Sequence, residues 1–229
     1  MIINKKIFAK GLISIVLFFV VLFIFFSPVF NGHNGLEYLD DLYNSISKGS
    51  AYYIPKVMSE AQKFNGDNIN ITINMGETQI AEQTAQLFEK SGAVVAVNDA
   101  ALNVSGDLGK ILGNCIEDSD LMYKNEGEKV SEKYGYNERQ ALYNWWMAFR
   151  QMDKDLKRQE KFSEAEMVNL IKEKAVETSY NYYKIEPQKI SEKLWFVIFS
   201  LIFYVFYTLW YGYAIMYLFE GWGLQLENH

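Results

Sequence analysis

One cysteine and two histidines are all that this 229-residue chain holds of those types, and each scarcity excludes a class of chemistry. Cys115 stands alone, so no intramolecular disulfide framework can form. His33 and His229 are too few and too far apart to build a zinc or haem site from this chain, so neither a metal nor a cofactor is expected. No Gly-rich phosphate loop, CxxC pair, HExxH or GxSxG occurs, and without such a motif the reading is of a protein that is not an enzyme. The chain has 28 acidic against 22 basic residues, a net charge of −6. With no basic stripe to neutralise phosphates, nucleic acid is not an expected partner. Internal repeats and low-complexity segments are also missing.

What is present is apolar and unevenly placed. Gly11 to Phe30 carries no charge, and the stretch from Ile15 to Phe26 is wholly apolar. About 20 residues at a rise of 1.5 Å match the ~30 Å hydrocarbon core of a bilayer. Lys5, Lys6 and Lys10 resemble the basic start of a signal peptide, but the exit Ser27-Pro28-Val29-Phe30 lacks an Ala-x-Ala-like cleavage pattern. An uncleaved anchor is the expectation. A second uncharged run extends from Leu194 to Phe219, with Glu192 and Lys193 before it and Glu220 after it. Pro187 suits the first turn of the helix that enters it. The positive-inside bias of the three N-terminal lysines puts that end in the cytoplasm, although Lys184, Lys189 and Lys193 on the outer flank of the second run pull the other way. The first span decides. The expected location is a bacterial inner membrane, crossed twice, with both short tails cytoplasmic and the central domain periplasmic.

The expected fold is therefore a membrane protein in which two transmembrane helices flank an extracytoplasmic, mainly helical α+β domain containing a small βαβ unit. Residues 1–31 form the tail and anchor, 32–186 the domain, and 187–229 the second span and its tail. Within the domain, Leu36, Leu39, Leu42, Tyr43 and Ile46 recur at helical spacing, and Pro55 opens a second short helix. Ile69, Ile71, Ile73 and Met75 alternate with Asn70, Thr72 and Asn74, the mark of a half-buried strand. A helix over 77–91, closed by Gly92, and an apolar strand over 93–97 complete a βαβ unit with parallel pairing. Beyond Asp99 the pattern turns helical. Leu108, Ile111, Leu112, Cys115 and Met122 make one stripe, with Gly106, Gly109 and Gly113 as a small-residue face beside it. Asn137 caps a long helix carrying Trp145, Trp146 and Phe149, and Ser163 with Glu166 forms a capping box for the next.

Few residues offer themselves as a site. The C-terminal ends of parallel strands are where α/β folds bind ligands, which singles out Glu77, Thr78, Asn98 and Asp99. Helix capping and turn formation account for the same residues. Asp99, Asn103, Ser105 and Asp107 offer oxygen ligands but do not match a calcium loop. Glu117, Asp118 and Asp120 read as a solvated helix face, and Trp145-Trp146 as core.

The second span is more informative. At 100° per residue, Ser200, Tyr204, Tyr207, Thr208 and Tyr211 fall within one arc of about 100° that crosses the bilayer midplane. Tyrosine normally gathers at membrane interfaces, and a hydroxyl facing hydrocarbon is unfavourable, so this arc should face protein. The first span has only Ser14 and Ser27 to offer, so the arc is expected to meet other chains. The expected function is a non-catalytic accessory or scaffold subunit of a membrane complex. Its partners would be other integral membrane subunits and the lipid bilayer, with self-association as a further form. An extracytoplasmic ligand-binding sensor acting through partner helices is the alternative.

Overall fold

The computed structural model describes residues 2–30 and 32–224. Asn31, at the expected end of the anchor, and the tail 225–229 with His229 lie outside the described residues. In chain order the elements are α1 (Lys5–Phe25), α2 (Gly35–Ser50), α3 (Ile54–Ala61), β1 (Asn68–Asn74), α4 (Thr78–Lys90), β2 (Val94–Asn98) and β3 (Ala101–Asp107). They continue with α5 (Leu108–Tyr123), α6 (Gly127–Tyr134), α7 (Glu138–Arg158), α8 (Phe162–Ile171), a π-helical stretch Lys172–Glu177, α9 (Thr178–Tyr182) and α10 (Ile190–Trp222). The described residues are mainly helical, with one small sheet. Residues up to Gly49 and from Pro187 group into one unit, and Ser50–Glu186 into a second. The helix α2, assigned by sequence to the central domain, thus groups with the two long apolar helices.

In the first unit, α1 and α10 are long and apolar enough to cross a membrane. Asn4 caps α1 by accepting a hydrogen bond from the Ile7 N–H at 3.3 Å. Asn34 and Glu37 form a reciprocal capping box at the start of α2, each backbone N–H donating to the other side chain at 2.9 Å. At 33 residues, α10 is about 50 Å long. It begins at Ile190, and Pro187 lies in the extended segment ahead of it rather than in its first turn. The expected helical proline is corrected accordingly.

In the second unit the sheet is antiparallel, in the order β1-β3-β2. This corrects the expected βαβ unit. β1 and β2 do run in the same direction, but β3 lies between them and pairs with both, Ile71 opposite Val104 on one side and Val95 opposite Val104 on the other. The helical reading beyond Asp99 missed β3 because the strand has only Leu102 and Val104 as strong apolar positions. Its hairpin turn, Asp99-Ala100, also lacks the Asn-Gly or Asp-Gly signature that announces such turns. Asp99 takes the positive φ of 53° that the turn needs. Ile69, Ile71, Ile73, Leu102 and Val104 are buried, and α4, α5 and α7 supply Leu87, Phe88, Ile111, Leu112, Trp145 and Phe149 to the same core.

Two smaller expectations change. The helix α8 begins at Phe162, and Lys161 ahead of it makes no side-chain cap, so Ser163 and Glu166 do not form a capping box. The three glycines are not one packing face. Gly106 lies on β3 against Ala93, Gly109 lets α5 approach Asn65, and Gly113 faces open space.

Candidate functional site

The arc predicted on α10 divides between two surroundings. Phe18 of α1 stacks on Tyr207 with ring centroids 4.4 Å apart and tilts against Tyr211 at 5.1 Å. Trp210 donates its Nε1–H to the Ser14 hydroxyl at 2.8 Å. The first span therefore does meet this side of α10, contrary to the expectation that it could contribute little. Small residues make the approach close enough. A Cβ on Gly11 would stand 2.7 Å from the Leu218 nitrogen and 3.1 Å from the Ala214 oxygen, and one on Gly221 would stand 2.5 Å from the Phe8 nitrogen. Backbones that come this near pack by dispersion without needing water to drive them. The seam positions Phe203, Tyr207, Trp210, Ala214, Tyr217 and Gly221 alternate by four and three, the spacing of antiparallel helices packed like a coiled coil. That spacing and the two glycines were the signal in the sequence.

The rest of the arc lies on the flank of α10 beside this seam. Ser200 donates to the Val197 carbonyl at 2.8 Å and lies 2.6 Å from the Tyr43 hydroxyl of α2. Thr208 turns back to the Tyr204 carbonyl at 2.8 Å, a local bond that satisfies the hydroxyl without a neighbour. Tyr204 is different. Its side chain stands in the open at 67% exposure, and among the described residues its hydroxyl has no hydrogen-bond partner. It lies within about one turn of the middle of the uncharged run. An apolar cavity of about 800 Å³ opens near the other end of α10, walled by Phe25, Phe30, Tyr38, Phe196, Phe199 and Phe203.

In the central unit the weak candidates do not converge as expected. β1 and β2 end at the same side of the sheet, but with β3 between them their ends are about 10 Å apart. Glu77 takes the N-cap position of α4 without a side-chain bond, Thr78 is its first helical residue, Asn98 ends β2 and Asp99 forms the turn. The next turn residue, Ala100, accepts the Met75 N–H at 2.8 Å, which ties the turn to the end of β1. The oxygen set is likewise occupied by structure. Asn103 accepts from the Thr72 hydroxyl at 2.8 Å, and Asp107 caps α5 through the Lys110 N–H at 3.2 Å. Among the described residues no three His, Cys, Asp or Glu side chains come together to hold a metal.

Asp118, read as solvated, is wholly buried. Its Oδ2 accepts from the Tyr134 hydroxyl at 2.6 Å and from the Trp145 Nε1–H at 2.9 Å, and its Oδ1 from Lys133 at 2.6 Å. Asn114 joins by donating to the Leu87 carbonyl and accepting from Lys133 at 2.5 Å. Burial, with the Asp118 charge beside it, raises the Tyr134 phenol well above its ordinary range. Burial, helped by the Asp118 charge, pushes Tyr136 up to about 12, and burial is the main cause of the raised Cys115 thiol. A carboxylate engaged on both oxygens and closed from solvent is out of reach of a substrate. It fastens α5, α6 and α7 together. Trp146, at the half-buried rim, donates to Glu177 at 2.7 Å and is stacked by Tyr143, so it forms no open cage.

No known protein family, curated protein or solved structure matches this chain.

Proposed function

We propose that this protein is a non-catalytic, membrane-anchored accessory or scaffold subunit that docks on other membrane helices through the open flank of α10 and presents its central unit to partners. The observation that carries this reading is Tyr204. A phenol near the bilayer midplane with no partner of its own is costly in hydrocarbon, and a neighbouring helix would relieve that cost. Tyr207 and Tyr211 support the reading less, since Phe18 already covers much of them. The proposed location is a bacterial inner membrane with both ends cytoplasmic and the central unit periplasmic. Support comes from Lys5, Lys6 and Lys10, the last lying 3.3 Å from the Tyr217 hydroxyl at the far end of α10. Protease added to intact spheroplasts should then cut within 50–186 and spare both ends. Protection of that region would reverse the orientation.

The docking test compares Tyr204→Phe and Tyr204→Leu with Phe206→Leu, in full-length protein pulled down from membranes at equal expression. Loss of one intramembrane hydrogen bond is worth about 0.6 kcal/mol and rarely above ~1.7, so Tyr204→Phe should reduce partner retention modestly. Tyr204→Leu should reduce it further through packing, and Phe206→Leu, on the other flank, should leave it unchanged. Equal retention in all three would remove the docking role. The sensor reading would then lead, with the 800 Å³ apolar cavity as the observation in its favour.

A further inference from the structure

The three-stranded sheet has two edges, and the central unit treats them differently. Along β1 the backbone groups that point away from β3 belong to the even-numbered residues from Asn68 to Asn74, and side chains meet one group each of Asn68, Asn70 and Thr72. The Thr72 N–H donates to Asp155 Oδ2 at 3.1 Å, Gln159 Nε2 donates to the Asn70 carbonyl at 2.9 Å, and Lys161 Nζ donates to the Asn68 carbonyl at 3.3 Å. α7 and the residues just after it thus close part of that edge with polar side chains.

The same observation fixes which groups face outward on the other edge. If the even-numbered residues of β1 point away from β3, the β3 groups that bond β1 are those of Leu102, Val104 and Gly106. Ala101, Asn103 and Ser105 must then bond β2 through Asn98, Ala96 and Val94. The N–H and C=O groups of Val95 and Val97 therefore point out of the sheet. Among the described residues no side chain or backbone group outside the ladder reaches them. Segment 94–98 also has no charge and no proline, two of the usual means of blunting an edge. Val94 is 75% exposed and Val97 43%.

We propose that β2 pairs with β2 of a second copy of this chain, antiparallel about a two-fold axis at Ala96, to give one six-stranded sheet across the two copies. Self-complementarity selects this occupant. With the axis at Ala96, Val95 of each copy faces Val97 of the other, and all the outward N–H and C=O groups of both strands find partners. Centring the pair on Val95 instead would set Val97 against Ala93, whose N–H already bonds the Phe88 carbonyl. Identical strands bring like residues close, and with no charge between Val94 and Asn98 nothing repels. Val95 and Val97 lie on the face of Val104 and Leu102, so pairing would also extend the apolar layer. A five-residue strand pair covers less than the ~1,000 Å² typical of a lasting interface. Confinement of both copies to one membrane offsets that shortfall by raising their effective concentration, and here the proposal rests on the anchoring proposed above.

The test uses the full-length chain in membranes of cells producing it, oxidised with copper phenanthroline, with resistance to carbonate extraction reporting anchoring separately. In an antiparallel pair without hydrogen bonds the Cα atoms are about 4.5 Å apart, within disulfide reach. Ala96→Cys should therefore give a covalent species of twice the chain mass, while Asn70→Cys on the closed edge and the wild type with buried Cys115 should not. Adding Val97→Pro removes an outward N–H that β3 does not use, a change that edge strands tolerate. It should lower the cross-linked fraction about tenfold, the effect of ~1.4 kcal/mol. Val97→Lys, an edge charge, should do the same if the proline variant lowers the melting temperature. Cross-linking of Ala96→Cys no greater than of Asn70→Cys in carbonate-resistant protein, cross-linking that survives both Val97 variants, or an adduct of any other mass would overturn the pairing. Extraction of the chain by carbonate would overturn the anchoring instead.

Discussion

Phe88, Trp145 and Phe149 of the central unit are completely buried, whereas Phe23, Phe206 and Tyr204 of the unit built from the chain ends are mostly exposed. The two units meet opposite problems. In the central unit, removing apolar side chains from water drives folding. Among the described residues most polar groups taken along are paired, Asp118 with three donors, while the buried Ser179 hydroxyl is not. In the helix pair the apolar surface faces outward, and with lipid around it, as proposed, there would be no such drive between α1 and α10. Contact there depends on glycine at Gly11 and Gly221, on stacked rings, and on single hydrogen bonds such as Trp210 to Ser14. The two units are fragile in different places. A polar vacancy is the worst injury in one, and an added methyl group is the worst in the other.

The largest effect is expected from Asp118→Ala. It strands the buried Tyr134 and Trp145 donors and takes the carboxylate from the partly exposed Lys133, and breaking such a buried pair costs about 3–5 kcal/mol. Urea unfolding of residues 50–186 would show it as a lower midpoint, with cooperative unfolding of the parent fragment as the precondition. A change below about 1 kcal/mol would mean the network contributes little and the unit is held by its apolar core alone.

A smaller effect is expected from Gly11→Leu. The new side chain would meet the backbone of α10 at Leu218, and overpacking of this kind costs about 1–3 kcal/mol. A Ser14→Cys/Trp210→Cys pair, placed where those side chains touch in the parent, should then oxidise less completely in full-length protein. The melting of the central unit should not move. Undiminished oxidation would show that the helices do not depend on glycine for their approach, and a shift in the central unit would show that the two units are energetically coupled.

Periodicity made much of this architecture readable. The alternation in β1, the stripe of α5, the Asn137 cap of α7 and the glycine stop at Gly92 depend on neighbours within a few residues, and each stands where expected. The strand β3 was not readable because its alternation is weak and its turn unmarked. Asp118 was misread for a related reason. Its neighbours Glu117 and Asp120 are charged, and nothing local reveals that Lys133, Tyr134 and Trp145 converge on the middle one. The α10 arc was recognised as polar, but its division between Phe18, Tyr43 and open surface requires knowing which helices lie beside it.

Length and hydropathy by themselves determined that two segments are long and apolar enough to cross a bilayer, because that property adds up residue by residue along a helix. They also determined a mainly helical middle with one clear strand. Only the tertiary structure decided that β3 enters between β1 and β2, that Asp155, Gln159 and Lys161 meet one sheet edge while nothing among the described residues bonds the other, and that Tyr204 stands in the open while Phe18 packs against Tyr207 and Tyr211. These features depend on contacts between residues far apart in the chain, and such contacts leave no period in the sequence from which they could be read.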